Sequence, residues 1–196
     1  MILLWAVLAG LIAGLGRALL FKRTIHLPEL RSLWLVPVAF LPQFVSFYLP
    51  ATRVLVSDHI AAASLICSQV LLLLFIAKNT KHRNLWLLGI GLSLNFIVII
   101  LNGGLMPISP ETVSELAGSV VTNSWETGQR LWQTKDIVLS RDVTVLPFLS
   151  DQFLLPSWMP TQVAFSVGDI FIAVGVFILF WASSEDPDSV QPKRKK

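Results

Sequence analysis

Asp169 is the residue whose type and place most need a chemical explanation. It stands in the apolar run 162–182, where a carboxylate is costly and often functional. Counted from Gln162 along a helix, it lies roughly 10 Å into a membrane. Asn95, counted inward from Asn102, reaches a similar depth of about 10 Å. Ser64 and Ser68 bracket that level on another run. Gln162, Ser166 and Asp169 stand at i, i+4 and i+7, so one helical face carries all three. These residues predict a polar cluster in the outer half of a helical bundle, with Asn95, Asn102 and Asp169 as ligand-binding candidates. A plainer reading stands beside it. Ser166-Val167-Gly168-Asp169 before an apolar run is a capping-box-like pattern, in which the carboxylate only closes the start of a shorter helix.

Aspartyl hydrolysis needs two carboxylates in one site, one ionised to activate water and one protonated. The catalytic set for that chemistry would be Asp169, Asn95 and Asp151, with Asp58 as another acid on the same side. Nothing in the spacing requires those acids to meet. Asn102-Gly103-Gly104 offers bare N–H groups of the kind that cradle anions. A helix ends at these glycines instead of starting after them, so its dipole has the wrong sign. A glycine C-cap with Pro107 downstream accounts for the motif. His26 and His82 fall in basic loops and only His59 borders an apolar run, where capping or local hydrogen bonding beside Asp58 explains it. No Cys/His spacing matches a metal or haem site, so no metal and no cofactor is expected. The single Cys67 precludes an internal disulfide, and Cys67 and Gln69 read as interhelical contacts.

The elements that must position these groups are long apolar runs at 2–21, 30–49, 60–77, 85–101 and 162–182. Each approaches the roughly 20 residues that cross about 30 Å of hydrocarbon as a helix. Hydrophobic residues make up 54% of the 196 and charged ones 14%, more apolar surface than a soluble domain of this length could cover. Ten-residue alternating segments, the mark of a β-barrel, are absent from the sequence. The expected fold is therefore an all-α integral membrane protein with five transmembrane helices.

Charge sets the orientation. Arg17, Lys22, Arg23 and Arg31, then Lys78, Lys81 and Arg83, then the tail Lys193-Arg194-Lys195-Lys196 hold eleven of the fifteen basic residues. Arg53, Arg130, Lys135 and Arg141 hold the rest, on the other side. The Lys/Arg-rich side is cytoplasmic, which puts the N-terminus outside and the C-terminus inside. Anionic lipid is the expected partner of the basic loops, and nucleic acid is not. Eight of the twelve acids, including Asp58, Asp136, Asp151 and Asp169, fall outside or face outward.

The first run lacks a basic leader and has Arg17 behind it, so it reads as a retained helix. Its Ala6, Gly10 and Gly14 form a small-residue stripe against which another helix can pack. Pro37 and Pro42 predict a kink or break in the second span. Ser57-Asp58 is the expected cap of the third, and 78–84 a tight inner turn making spans three and four a hairpin. The outer loop 102–161 should hold an amphipathic helix from Ser109-Pro110-Glu111-Thr112 through Val120 and Val121. Its second half reads as extended, with a short strand at 143–146. Residues 1–182 form one domain and 183–196 a basic disordered tail.

Two stretches resemble DUF5317, a group of small bacterial membrane proteins: Asn95-Phe96 through Asn102-Gly103-Gly104-Leu105-Met106-Pro107, and Phe165-Ser166-Val167-Gly168-Asp169-Ile170-Phe171-Ile172-Ala173-Val174-Gly175. Thr144 through Asp151 also resembles the family's outer loop, with Ser150-Asp151 where a Gly-Asp pair is more usual. The resemblance implies a bacterial plasma-membrane protein and supplies no activity. The 165–175 stretch is further similar to the second aspartate motif of lipoprotein signal peptidases, but 102–107 lacks the partner acid of those enzymes.

Three functions follow as expectations. The first is a non-catalytic accessory, scaffold or assembly subunit, bound through its outer loop to other membrane subunits or to its own copies. The second is an outer-leaflet aspartyl hydrolase centred on Asp169. The third is a small transporter or ligand sensor.

Overall fold

The computed structural model describes residues 2–21, 24–25, 29–118, 125–159, 162–182 and 184–185. The chain is mostly helical. Helix α1 covers Ile2–Leu20 and a two-residue strand, β1, Thr24–Ile25. Helix α2, Leu35–Gln43, runs into a π-helical turn at Phe44–Tyr48, and the short α3 is Pro50–Arg53. Then come α4, Asp58–Lys78, and α5, Trp86–Leu101, the latter entered through a 3-10 turn at Arg83–Leu85. The following loop contains β2, Met106–Ile108, α6, Pro110–Ala117, β3, Asp136–Val138, β4, Phe153–Leu154, and β5, Ala164–Phe165. Helix α7, Val167–Ala182, and β6, Ser184–Glu185, finish the described chain. Two helices, Asp58–Lys78 and Arg83–Leu101, are long and apolar enough to cross a membrane, and three shorter apolar helices accompany them.

The long helices pack in the order α2, α4, α5, α7, α1. Helix α2 lies on α4 and α1 lies on α7, while α2 makes no packing of that extent with α1 or α7 among the described residues. A groove therefore runs between α2 on one side and α1 with α7 on the other, floored by α4 and α5. On α1, Gly10, Gly14 and Ala18 are buried, and Gly10 and Gly14 lie against α7. Ideal Cβ atoms at Gly10 and Gly14 would come within 3.1 Å of the Phe177 Cα and 2.7 Å of the Phe180 carbonyl. Gly10 and Gly14 of the small-residue stripe are thus consumed within the chain, where they let two backbones approach.

Proline shapes the second helix. Pro37 stands in the first turn of α2, where no N–H is needed, and Pro42 near its end, where the ladder widens into the π-helical turn. Pro50 opens α3 at its first position. Asn79 anchors the opposite end of the bundle. Its Nδ2 donates to the carbonyls of Phe75 at 2.8 Å and Arg31 at 2.9 Å, and its Oδ1 accepts from the Arg31 N–H at 2.7 Å. Leu35, Phe75 and Leu85 pack beneath it.

The loop after α5 has its own small core of Ile108, Val113, Leu131, Val138 and Ala164. A second cluster, including Phe47, Leu65, Val98, Ile99, Met106 and Leu149, fastens it to α4 and α5. Strand β2 pairs in parallel with β3, Met106 opposite Asp136 and Ile108 opposite Val138. Ile108 also bridges to Asp151. Strands β4 and β5 pair antiparallel.

Several sequence expectations need correction. The second run is helical only from Leu35, and α7 begins at Val167, so Gln162 lies outside it. Gln162 instead donates to the Pro156 carbonyl at 3.1 Å, off the face that it was expected to share with Ser166 and Asp169. Helix α6 stops at Ala117 because Gly118 takes φ 65°, a left-handed value that breaks the ladder. Val120 and Val121 lie outside the described residues, as does the tail except Ser184 and Glu185, which pair with β1. No strand forms at 143–146, because Asn102 holds the Val145 backbone from both sides. Ser57 precedes α4 but makes no side-chain cap bond.

Candidate functional site

Ser166 and Asp169 close the start of α7 reciprocally. The Asp169 N–H donates to Ser166 Oγ at 3.0 Å, and the Ser166 N–H donates to Asp169 Oδ2 at 3.2 Å. This is a capping box with aspartate in place of the usual glutamate, and the carboxylate also faces the positive end of the helix dipole. Asn95 joins it from α5. Asn95 Nδ2 donates to Asp169 Oδ1 at 2.9 Å, and Ser166 Oγ donates to Asn95 Oδ1 at 2.9 Å. Only glycine at 168 permits this closeness, since a Cβ there would lie 2.0 Å from Asn95 Oδ1.

The knot is not sealed off. A cavity of about 500 Å³ occupies the groove, and Asn95 and Asp169 line it together with Lys135. Leu65, Leu72, Leu88, Leu92, Ile172 and Val176 supply apolar lining from α4, α5 and α7. Gln69 on α4 also faces the cavity; it is 8% exposed, and its Oε1 is buried with no hydrogen-bond partner.

Lys135 and Asp151 form the adjoining cluster. Lys135 is fixed through its carbonyl, which accepts the Met106 N–H at 2.9 Å, and Asp151 through its own N–H, which donates to the Pro107 carbonyl at 3.0 Å. Between them Lys135 Nζ reaches Asp151 Oδ2 at 2.5 Å and Asp136 Oδ1 at 2.9 Å. The Asp151 side chain is fully buried and its Oδ1 has no partner, whereas that of Lys135 is 36% exposed. Burial pushes the Asp151 carboxyl well above the usual range; Lys135 opposes this, while Asp136 and Asp169 add to it. Burial pulls the Lys135 ammonium down, yet Asp136, Asp151 and Asp169 outweigh it and hold it well above its ordinary value.

The structure thus brings Asn95, Ser166 and Asp169 together and sets Lys135 across the same cavity. It does not bring Asn102 there. Asn102 Nδ2 donates to the Val98 and Val145 carbonyls at 2.7 and 2.9 Å, and its Oδ1 accepts the Val145 N–H at 2.9 Å, so its polar atoms hold backbone. Gly103 and Gly104 take φ 85° and 93°, and Gly104 N–H donates to the Ile99 carbonyl at 2.8 Å, a Schellman ending. Asp58 is engaged elsewhere, by Arg130 Nε at 3.3 Å. Among the described residues no two carboxylates share a hydrogen bond: Asp169 pairs with Asn95 and Ser166, Asp151 with Lys135. Ser64 and Ser68 bond Ser46 and the Ala39 carbonyl, holding α4 to the α2 segment. Among the described residues no group of three His, Cys, Asp or Glu could hold a metal ion.

A family model described as a family of unknown function, DUF5317, matches residues 28–181, most of the chain. The chain belongs to the DUF5317 family. The matched region contains every residue of the knot and of the Lys135 cluster, and the whole of α2, α4 and α5. No curated protein and no solved structure matches this DUF5317 chain.

Proposed function

We propose that this DUF5317 protein is a multi-pass bacterial plasma-membrane protein that holds an amphiphilic ligand inside its helical bundle, as a ligand sensor or carrier. The five apolar runs are taken as spans, with the N-terminus outside, the C-terminus inside and the 102–161 loop as an outer cap. The basic inner segments then face anionic lipid.

One observation carries the ligand reading. The cavity of about 500 Å³ has an apolar body, one polar end at Asn95, Lys135 and Asp169, and a buried acceptor without a donor at Gln69. Ligand sites combine just these parts: a mostly apolar cleft of roughly 300–1,000 Å³ with a few convergent polar groups. Native mass spectrometry of the protein released from membranes tests it. A co-purifying amphiphile is expected, and Leu72→Trp, which places bulk in the cavity, should lose it while keeping a cooperative melt. Wild-type protein that carries no amphiphile and gains no thermal stability from any added one would overturn the reading.

The accessory-subunit reading keeps a separate support. Val143, Val145, Phe148 and Trp158 are exposed on the loop, a surface available to a protein partner. Copurification from native membranes tests it, and recovery only as a monomer would count against it. A hydrolase finds less support, because the acids that it needs are each matched to another group.

A further inference from the structure

Among the described residues, Lys135 and Asp169 are the charged ones that line the cavity, and their surroundings differ. Lys135 already meets two carboxylates, Asp136 and Asp151. Asp169 makes its hydrogen bonds only to neutral donors among the described residues, the Asn95 amide and the Ser166 N–H. Lys135 acts on it only through space, across the cavity. In an apolar cavity a carboxylate is compensated far better by an opposite charge than by neutral dipoles. Gln69 Oε1, buried in the same cavity without a donor, is a second acceptor that the protein leaves open. Each carboxylate oxygen retains lone pairs for a further donor.

We propose that the cavity binds an amphiphile with a primary ammonium headgroup, the ammonium against Asp169 and the chain laid along the groove toward Leu88 and Leu179. The assignment rests on the ligand-binding reading above and names the headgroup. A fatty-acid carboxylate would add negative charge beside Asp136, Asp151 and Asp169, where the one facing cation is already shared between two acids. A simple long-chain amine and an ethanolamine phospholipid present the same ammonium.

Full-length protein in a neutral detergent is titrated with four probes of equal chain length: an alkyl amine, a lysophosphatidylethanolamine, an alkyl alcohol and a fatty acid. The amine-bearing probes should bind about tenfold or more tighter than the fatty acid, the scale of one charge-assisted hydrogen bond. Asp169→Asn should remove that advantage, with a cooperative thermal melt showing that the variant is folded. Equal affinity of amine and fatty acid for the wild-type protein overturns the headgroup assignment, whether or not the variant folds. So does an amine preference that survives Asp169→Asn. Binding of none of the four overturns the ligand reading itself, whereas binding of all four without ranking sinks only the headgroup. The order of the alkyl amine and the lysophospholipid decides between the two sources.

Discussion

Asn95 Nδ2 donates to Asp169 Oδ1 at 2.9 Å, and this bond ties the α5 side of the bundle to the first turn of α7. Ser166 completes the knot by donating to Asn95 Oδ1. One asparagine thereby satisfies the side chains of both members of a helix cap, at the point where a polar cavity end meets apolar packing.

Asn95→Ala should cost about 1–3 kcal/mol, because it leaves the Ser166 hydroxyl proton without an acceptor and Asp169 Oδ1 without a donor. Asp169→Ala should cost a similar amount, the cap alone being worth about 0.5–2 kcal/mol. The double variant should cost less than the sum, since the two side chains share one network. Denaturant unfolding in detergent of the wild type and the three variants measures the coupling. Strict additivity would show that the bond carries no cooperative weight.

Gly168→Ala tests the closeness that the knot requires. An added methyl would lie 2.0 Å from Asn95 Oδ1 and must push α5 and α7 apart, at about 1–3 kcal/mol or more. Gly16→Ala in α1 meets nothing within 4 Å and should be neutral or stabilising by up to about 1 kcal/mol. Thermal unfolding of the pair separates a steric demand from a general intolerance of alanine for glycine; equal behaviour of the two would refute the steric account.

The parts of this arrangement differ in how far the sequence reveals them. Ser166 and Asp169 follow from capping chemistry, which is local and therefore visible in four consecutive residues. Asn95 follows from counting depth along an apolar run. Lys135 has no such local mark. It enters the sequence reading only as a charge on the outer side, and its partner Asp151 is sixteen residues away, brought close because both segments flank β2. Asn79 is likewise invisible, since its value lies in reaching the Arg31 backbone 48 residues away. Gln69 is marked as buried and polar, but only the gap between α2 and α7 turns it from a helix contact into a cavity wall. Parallel pairing of β2 with β3, on three residues each, is too short to leave any alternation in the sequence.

Lys135 and Asp151 should be costly to break and cheap to replace together. Removing Lys135 leaves the fully buried Asp151 without its cation, at about 3–5 kcal/mol, whereas removing Asp151 leaves Lys135 part-exposed and still paired with Asp136 and should cost less. Lys135→Met with Asp151→Leu substitutes an apolar contact for the ion pair and should recover most of that loss, provided that Asp136 stays solvated. A double-mutant cycle by chemical denaturation checks it. A double variant as unstable as the worse single one would mean that the pair is also needed to shape the β2 bridge.

The same pair gives the protein a pH dependence whose sign can be worked out. In the unfolded chain the Asp151 carboxyl titrates near its ordinary value, about 3.9. In the folded protein burial holds it well above that, more than Lys135 offsets. Below about pH 3.9 both states keep the proton and the contribution of this group is fully present. As pH rises from there, the unfolded chain releases a proton that the folded chain retains, and stability falls until the folded-state carboxyl also ionises. Lys135, raised in the folded state, acts in the same sense at the alkaline end: its contribution is lost as pH rises through its folded value. Thermal melts from acid to neutral pH should therefore show a decline in the wild type that Asp151→Asn removes and that Asp142→Asn, at an exposed position, leaves intact. A wild-type profile that parallels Asp151→Asn throughout would mean that Lys135 holds the carboxylate ionised and that burial does not win.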